Sequence, residues 1–255
     1  MPKGTPRLLG RCLHRAVRGA RQLLRLWIAV IGGAALGGAA CADTIASARY
    51  GAPTDRYAHG VLGDAIEWGA LELTLVSGRV VTITLPLDHV FEDISPRLAD
   101  LDNDGQFEVI VVETDTSRGA ALAIYGASGK IAETPHIGTR NRWLAPIGAA
   151  DFDGDGYIEI AYVDRPHLAK TVRLWRYRDG GLHPVASVPG YSNHRIGEDF
   201  ISGGVRTCNE TPEMIVATAN WSRLVAIRFD GADFDVTDLG ANTGPASWRA
   251  ALACG

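Results

Sequence analysis

The feature that most constrains the fold is a nine-residue acidic pattern that occurs twice in a chain of 255 residues. Each copy reads D-x-D-x-D-G-x-x-E and leads directly into a run of β-forming residues, first from Asp100 and again from Asp151. The two copies begin 51 residues apart and have similar lead-ins, PRLADLD and PIGAADFD. Self-similarity at a period of roughly 20–50 residues is typical of repeat architectures, whose units stack on one another.

The spacing within each copy suits a calcium ion, which takes about six to eight oxygen ligands. Carboxylates at positions 1, 3 and 5 of a tightly curled loop can face one centre, and glycine at position 6 permits the sharp reversal. Position 7 offers its backbone carbonyl, and glutamate at position 9 returns at the start of the strand. In an EF-hand, by contrast, the closing glutamate stands at position 12 and helices flank the loop.

The alternative to a calcium site is a solvated acidic turn, which leaves four carboxylates within nine residues to repel one another. We therefore expect two calcium sites, formed by Asp100, Asp102, Asp104, Gln106 and Glu108, and by Asp151, Asp153, Asp155, Tyr157 and Glu159.

The chain after residue 42 consists of short β-forming segments separated by Gly, Asp and Asn turns, which predicts an all-β fold. The 30 glycines suit many tight turns, and no segment shows helical periodicity over 12 residues. The predicted strands include residues 70–76, 80–85, 108–113, 120–125, 158–163, 171–177 and 214–219. A third, degenerate copy of the pattern ends at Glu213, but Val205, Thr207 and Asn209 replace its aspartates, so we expect no metal there.

The motif D-x-D-x-D-G-x-x-[DE] before a strand resembles the FG-GAP/VCBS-type repeats, the blades of integrin-alpha-like β-propellers. The resemblance is clear over residues 97–185 and fainter over residues 43–255. It implies that the acidic loops bind calcium between the outer strands of a blade, in a structural role. This chain departs from the family by having Glu rather than Asp at position 9. With a period near 51, residues 43–255 have room for about four blades, so we expect a small β-propeller.

The N-terminus has the layout of a secretory signal peptide. Residues 1–42 hold seven basic and no acidic residues, residues 26–42 are uncharged, and residues 40–42 form an A-x-A site. We therefore expect cleavage after residue 42 and export to the periplasm or the extracellular space. An uncleaved membrane anchor and lipid attachment at Cys41 are the alternatives. No later apolar run is long enough to span a membrane.

Two cysteines remain after residue 42, Cys208 and Cys254. In an oxidising compartment they predict one disulfide, the alternative being two separately buried thiols. Such a bridge would hold the C-terminal WRAALAC segment on the last blade. Because propellers often close by pairing the two chain ends in one blade, we expect that closure here.

Charge and motifs exclude several functions. Residues 1–42 hold seven of the 25 basic residues and none of the 29 acidic ones, so the remainder carries a net charge of −11. A nucleic-acid partner is not expected, because phosphate binding needs a basic surface. No nucleophile, zinc or phosphate-loop motif is present, and no catalytic residue is assigned.

Polar inter-strand segments hold the candidate binding residues, since loops on a rigid scaffold commonly bind ligands. These residues are Arg142, Trp143, Arg165, His167, His194 and Arg195. The alternative is that they are ordinary turn residues.

The function expected is that of an exported calcium-binding β-propeller that binds a protein or glycan. The competing hypothesis is a hydrolase or lyase with a polar pocket at the propeller axis. An exposed Trp143 and Arg142 on a flat rim would favour binding. An acid/base pair in a converging pocket would favour catalysis.

Overall fold

The computed structural model describes residues 43–254, and nearly all regular structure in that range is β-strand. The all-β prediction is therefore confirmed, and each predicted strand overlaps an observed one, with ends that differ by at most three residues. The strands are β1 (Ile45–Thr54), β2 (Glu67–Leu75), β3 (Val80–Thr84), β4 (His89–Phe91), β5 (Arg97–Ala99), β6 (Glu108–Asp115), β7 (Gly119–Gly126), β8 (Gly129–Glu133), β9 (Leu144–Ala150), β10 (Glu159–Asp164), β11 (Thr171–Arg178), β12 (Gly181–Pro189), β13 (Tyr191–Ser192), β14 (Gly204–Cys208), β15 (Thr211–Thr218), β16 (Arg223–Phe229) and β17 (Phe234–Ala241). Helix α1 (Pro245–Leu252) follows.

A four-stranded antiparallel meander occurs three times among the described residues. We call β5–β8 the first repeat, β9–β12 the second and β14–β17 the third. The register of the first two strands agrees in the first and second repeats, where Glu108 lies opposite Ala99 and Glu159 opposite Ala150, each nine residues earlier. In the third repeat Glu213 lies opposite Arg206, seven residues earlier, so this hairpin is two residues shorter. The third, degenerate copy of the pattern therefore corresponds to a repeat with the same strand order but with a tight turn between β14 and β15 in place of the acidic loop.

The N-terminal strands join the first repeat in one eight-stranded sheet. Strand β2 pairs with β1 along one edge and with β3 along the other. Strand β4 bridges β2 to β6, through the Trp68–Phe91 pair on one side and through Phe91 and Glu113 on the other.

The core lies between successive sheets, which explains the continuous apolar run Val109–Val112 in β6. Alternate side chains of a strand point to opposite faces. Ile110 therefore packs towards Leu144 and Ile160 of the second repeat, whereas Val109 and Val111 pack towards the N-terminal strands. Both faces of β6 are covered, and every residue in it is buried.

The C-terminal segment is a helix, and the expected pairing of the two chain ends is wrong. Strand β1 lies at the edge of the first sheet, and β17 pairs with β16 in the third. Helix α1 starts with Pro245, a residue favoured in the first turn, and is rich in alanine, which favours helix over strand. Trp248 of this helix packs edge-on against Trp221.

The disulfide prediction is confirmed. Cys208, at the end of β14, is bonded to Cys254 just after α1, with a Cα–Cα distance of 5.8 Å. The bridge thus holds the C-terminal helix on the third repeat, as expected for this segment. Within residues 43–254, no helix combines the length and apolar character needed to cross a membrane.

Candidate functional site

The first acidic loop is organised by hydrogen bonds from its own backbone to its carboxylates. Asp100 accepts the N–H groups of Asp104 at 3.1 Å and Gly105 at 3.0 Å. Glu108, at the start of β6, reaches back to accept the N–H of Leu101 at 2.9 Å. These bonds curl the loop, so that the acid at position 9 returns to the acids at positions 1 and 3.

The second loop repeats these three hydrogen bonds and adds one from the Gly154 N–H to Asp151 at 2.8 Å. Asp151 accepts from Asp155 at 3.1 Å and from Gly156 at 3.0 Å. Glu159 accepts the N–H of Phe152 at 3.0 Å. Two segments 51 residues apart therefore adopt one conformation, because the residues that determine it occupy the same positions.

Left-handed backbone at positions 4 and 6 makes the reversal. Gly105 and Gly156 have φ of 85° and 90°, and position 4 is Asn103 with φ of 61° or Gly154 with φ of 76°. Glycine adopts this region without strain, and asparagine tolerates it better than most residues do. The glycine predicted for the sharp turn therefore has that conformation in both loops.

The carboxylates of each loop converge on one point. One oxygen from each of three acids lies within 4.8 Å of the others, in the set Asp100, Asp102 and Glu108 and in the set Asp151, Asp153 and Glu159. Asp104 and Asp155 accept the N–H groups of Gln106 and Tyr157 at position 7. The Gln106 side chain bonds Asp104, and the Tyr157 ring lies near Arg178, so only the backbone carbonyls of position 7 match the predicted ligand role.

The first loop holds its negative charge without a basic partner. Among residues 43–254, no Lys, Arg or His nitrogen lies within 4.0 Å of its four carboxylates. Burial raises the pKa of Glu108, and the neighbouring aspartates raise it further. This all-oxygen set fits a hard divalent cation such as Ca²⁺, which prefers carboxylate and carbonyl ligands.

The second loop contains a basic side chain that the sequence analysis missed. The Arg176 guanidinium lies 2.5 Å from Asp153, 2.7 Å from Asp155 and 2.6 Å from Glu159. Arg176 stands directly opposite Glu159 in the β10–β11 pair. The equivalent position in the first repeat is Gly126, because Val109 pairs with Tyr125 and the next position along β7 therefore lies beside Glu108. Glycine has no side chain that could reach the loop. Aligning the two hairpins by register would have revealed this difference.

The third repeat carries two basic side chains at this place. Glu213 accepts from Arg206 at 2.7 Å and from Arg228 at 2.8 Å. Val205, Thr207 and Asn209, which replace the aspartates of the other two loops, lie in β14 and in the turn after it. The three repeats therefore form a series with no arginine, one arginine and two arginines beside the equivalent glutamate.

Grooves lie beside the acidic loops, between neighbouring repeats. The groove between the second and third repeats has a volume of about 660 Å³, and its wall includes Asp151, Asp153, Glu210, Asp230 and Asp235. The groove between the first and second repeats has a volume of about 320 Å³. Asn103 links the two loops there by donating to the Gly156 carbonyl at 3.2 Å.

Four of the predicted binding residues meet, but around a very small cavity. Arg142, Trp143, Arg165 and His167 line a space of about 40 Å³ together with His59. Ligand pockets are usually about 300–1,000 Å³, so this space is too small for a sugar ring.

Trp143 is 2% exposed, so it offers no exposed aromatic surface. Its indole fills the core between the first two repeats, and its Nε1 donates to the Glu92 carbonyl at 2.7 Å. The indole stacks on His167, and His194 meets it edge-on. Trp143 is therefore not the exposed aromatic residue on a flat rim that would favour binding.

The two histidines beside Trp143 form a hydrogen-bonded chain. His194 Nε2 donates to the Glu198 carbonyl at 2.9 Å, so its Nδ1 accepts from His167 Nε2 at 3.0 Å. Burial, helped by the neighbouring His194, lowers the pKa of His167 to about 4. Burial also lowers the pKa of His194. Arg195 lies apart from this group, with its guanidinium 4.2 Å from the Trp221 ring centre.

His59, which lines the small cavity, connects it to buried carboxyl groups that the sequence did not single out. Glu92 is hydrogen-bonded to His59 and, at 2.6 Å, to the Thr114 hydroxyl. Burial, and then the Glu92 carboxylate, raise the pKa of Glu67 to about 9. His59 and Glu92 thus form an acid/base pair, but the cavity beside His59 is too small for a substrate of sugar size. No local sequence motif identifies these residues, because they are far apart in the chain and come into contact only in the folded protein.

The comparison with protein families agrees with the repeats seen in the fold. Residues 100–162 match the family model described as FG-GAP-like repeat, which covers both acidic loops. This segment is an FG-GAP-like repeat. The chain therefore contains an FG-GAP-like repeat, as the resemblance of its motifs implied.

The chain is similar to a crystal structure of the rhamnogalacturonan lyase YesW, at 14% identity and a TM-score of 0.36. The similarity covers 70% of this chain and 43% of that one, so this chain spans less than half of the lyase's length. Curated protein sequences gave no match.

Proposed function

We propose that this chain is an exported FG-GAP-type β-propeller of about four blades that binds a protein or glycan and uses calcium to hold its acidic loops. The observation that carries the proposal is the pair of loops with the same internal hydrogen bonds and convergent carboxylates. Calcium would be held by the aspartates at positions 1, 3 and 5, the carbonyl at position 7 and the glutamate at position 9. Its role there is structural, since it offsets the repulsion among the acids.

The grooves beside the loops support binding better than catalysis. They have volumes of about 660 and 320 Å³, whereas the cavity beside the His59–Glu92 pair has about 40 Å³. The larger groove is acidic, so we expect its ligand to present cationic or hydroxyl groups, or to bind through loop calcium. A hydrolase or lyase remains the alternative function.

The blade number rests on three meanders and an N-terminal set of strands. Strands β1–β3 form an additional antiparallel group before the first repeat. We propose that this group is the fourth blade, which would complete a small propeller without pairing the chain ends.

Export is supported by the disulfide, because disulfides persist in oxidising compartments. The predicted signal peptide, residues 1–42, lies outside the described residues. We expect the exported protein to begin at Asp43, which intact-mass measurement will check. A mass that includes residues 1–42 would indicate an anchor, and one with a lipid on Cys41 would indicate lipidation.

Thermal unfolding of the exported protein tests the calcium role. We expect a higher melting temperature in excess calcium than in chelator, and isothermal titration should give two ions per chain. No change in melting temperature and no binding heat would contradict the calcium assignment.

A glycan panel tests binding against catalysis. The calcium-loaded protein should bind specific immobilised glycans, and incubation with the same glycans in solution should produce no new reducing ends. Release of reducing ends would instead support the enzyme, and binding that persists unchanged in chelator would separate ligand binding from the loops.

A further inference from the structure

A second kind of candidate site lies at the end of β6 opposite to the first acidic loop. Asp115 ends β6, and His89 of β4 stands directly opposite it in the strand register. On the other side of β6, Asp115 pairs with Gly119 of β7, whose carbonyl accepts from His136 at 2.7 Å. Two histidines and a carboxylate are thus brought together by three neighbouring strands.

The hydrogen bonds of both rings leave one nitrogen of each available. A carbonyl can only accept, so His136 donates through Nδ1 and its neutral ring carries a lone pair on Nε2. That Nε2 is buried and has no hydrogen-bond partner among the described residues. An unsatisfied buried polar atom is costly, at about 1–3 kcal/mol, which a bound cation would remove.

His89 is oriented in the same way by Asp88. Its Nδ1 lies 2.9 Å from the Asp88 carboxylate, and its Nε2 lies 3.9 Å from Asp115 Oδ2 and 3.9 Å from Glu113 Oε1. A histidine that donates one ring N–H to a carboxylate or a carbonyl and keeps the other nitrogen free is the usual arrangement of a metal-binding imidazole. Both histidines of the cluster have this arrangement.

The spacing of the three groups is close to that of a metal site. One ligand atom from each of His89, Asp115 and His136 lies within 4.8 Å of the other two. Ligands at about 2.0–2.1 Å from a tetrahedral zinc ion are about 3.3 Å apart, so small side-chain rotations would close the set. The two rings already meet edge-on, with centroids 5.9 Å apart.

Two basic side chains compete for the carboxylates. Arg118 Nε donates to Asp115 Oδ2 at 2.7 Å, and the Lys130 ammonium is 2.8 Å from Glu113. Arg118 is more than half exposed, so it can turn into solvent. Asp115 Oδ1 already accepts from the Ser117 amide and hydroxyl and from the Arg118 amide. Its Oδ2 accepts only from Arg118 Nε, so Oδ2 keeps a lone pair for a cation.

We propose that His89, Asp115 and His136 bind a divalent first-row transition ion, with Zn²⁺ as the best-fitting member. Imidazole nitrogen combined with carboxylate oxygen selects such ions over calcium, which prefers an all-oxygen set. Glu113 or water completes the coordination. The ion ties β4 and β6 to the segment after β8, at the opposite end of the first repeat from the acidic loop.

Isothermal titration of the exported protein with zinc chloride in excess calcium tests this site. Calcium saturates the acidic loops, so the zinc heats report other sites. We expect one zinc per chain, at least tenfold weaker binding in His136→Gln and Asp115→Asn, and unchanged binding in His183→Gln. His183 is an exposed histidine on β12 and serves as the matched control.

Arg118→Met separates metal binding from a loss of folding. Removing the competing guanidinium should tighten zinc binding several-fold, which a merely destabilised protein would not do. Cobalt(II) in place of zinc should give visible absorption bands that disappear in His136→Gln. Absence of zinc heat and of cobalt bands in the wild-type protein would overturn the proposal. Loss of zinc binding in His167→Gln with retention in His136→Gln would overturn it equally, by placing the ion at the other histidine pair.

Discussion

Replacing Arg176 by methionine would distinguish the two acidic loops, since only the second contains a basic side chain. Arg176 contacts Asp153, Asp155 and Glu159, the same acids that the proposed calcium would use. Methionine keeps much of the apolar stem and removes the charge. In chelator, Glu159, which is fully buried, would lose its only basic partner among the described residues.

The magnitude follows from the burial of this ion pair. Removing one partner of a buried pair usually costs about 3–5 kcal/mol of unfolding free energy. Arg176 is one-fifth exposed and Asp155 more than a third, so solvent screens part of the interaction and we expect a loss of about 2–3 kcal/mol in chelator. For a domain of this size, that corresponds to a melting temperature lower by about 5–10 °C.

Calcium should restore most of this loss, because a divalent ion replaces the guanidinium among the same oxygens. An ion present at 100 times its dissociation constant stabilises by about 2.7 kcal/mol, which matches the expected deficit. The melting-temperature rise on adding calcium should therefore be larger in Arg176→Met than in the wild type, and titration should show tighter binding at the second loop.

The assay is calorimetric unfolding of both proteins in chelator and in excess calcium. Arg223→Met is the matched control, because Arg223 pairs with Asp238 of the neighbouring strand at the surface, where an ion pair contributes less than about 1 kcal/mol. An equal loss with and without calcium would refute the reasoning that the arginine and the ion compete for one place.

Three further predictions address the other features. Asp102→Ala should remove one of the two calcium ions in a titration, and an unchanged stoichiometry would contradict the first site. Glu67 has a folded pKa of about 9, above its ordinary value of 4.5, so the stability due to its neutral form is present below pH 4.5 and is lost as the pH rises towards 9. Glu67→Gln should therefore match the wild type near pH 4.5 and become the more stable protein above it, by up to about 1.4 kcal/mol per pH unit, whereas Glu72→Gln on the same strand should not. Cys208→Ser should lower the unfolding free energy by about 4 kcal/mol, given a 46-residue separation from Cys254, and wild-type melting that ignores reductant would contradict this.

The acidic loops and the strand-rich fold could be predicted because their causes are local. The loop conformation depends on hydrogen bonds between residues at most seven apart and on left-handed backbone at Gly105 and Gly156. Alternating and continuous apolar runs likewise determine strands within a few residues. The disulfide followed from counting, since residues 43–255 contain only two cysteines.

Tertiary structure alone decided which charges and rings meet. Arg176 reaches the second loop because the β10–β11 register places it opposite Glu159. His136 lies near Asp115 because its ring donates a hydrogen bond to the carbonyl of Gly119, the strand partner of Asp115. Trp143 is in the core because the second repeat packs against the first. Such contacts join residues far apart in the chain, and their geometry depends on register and packing, which a nine-residue pattern does not encode. The local sequence therefore determined the loops and strands, whereas the packing of the repeats determined their partners.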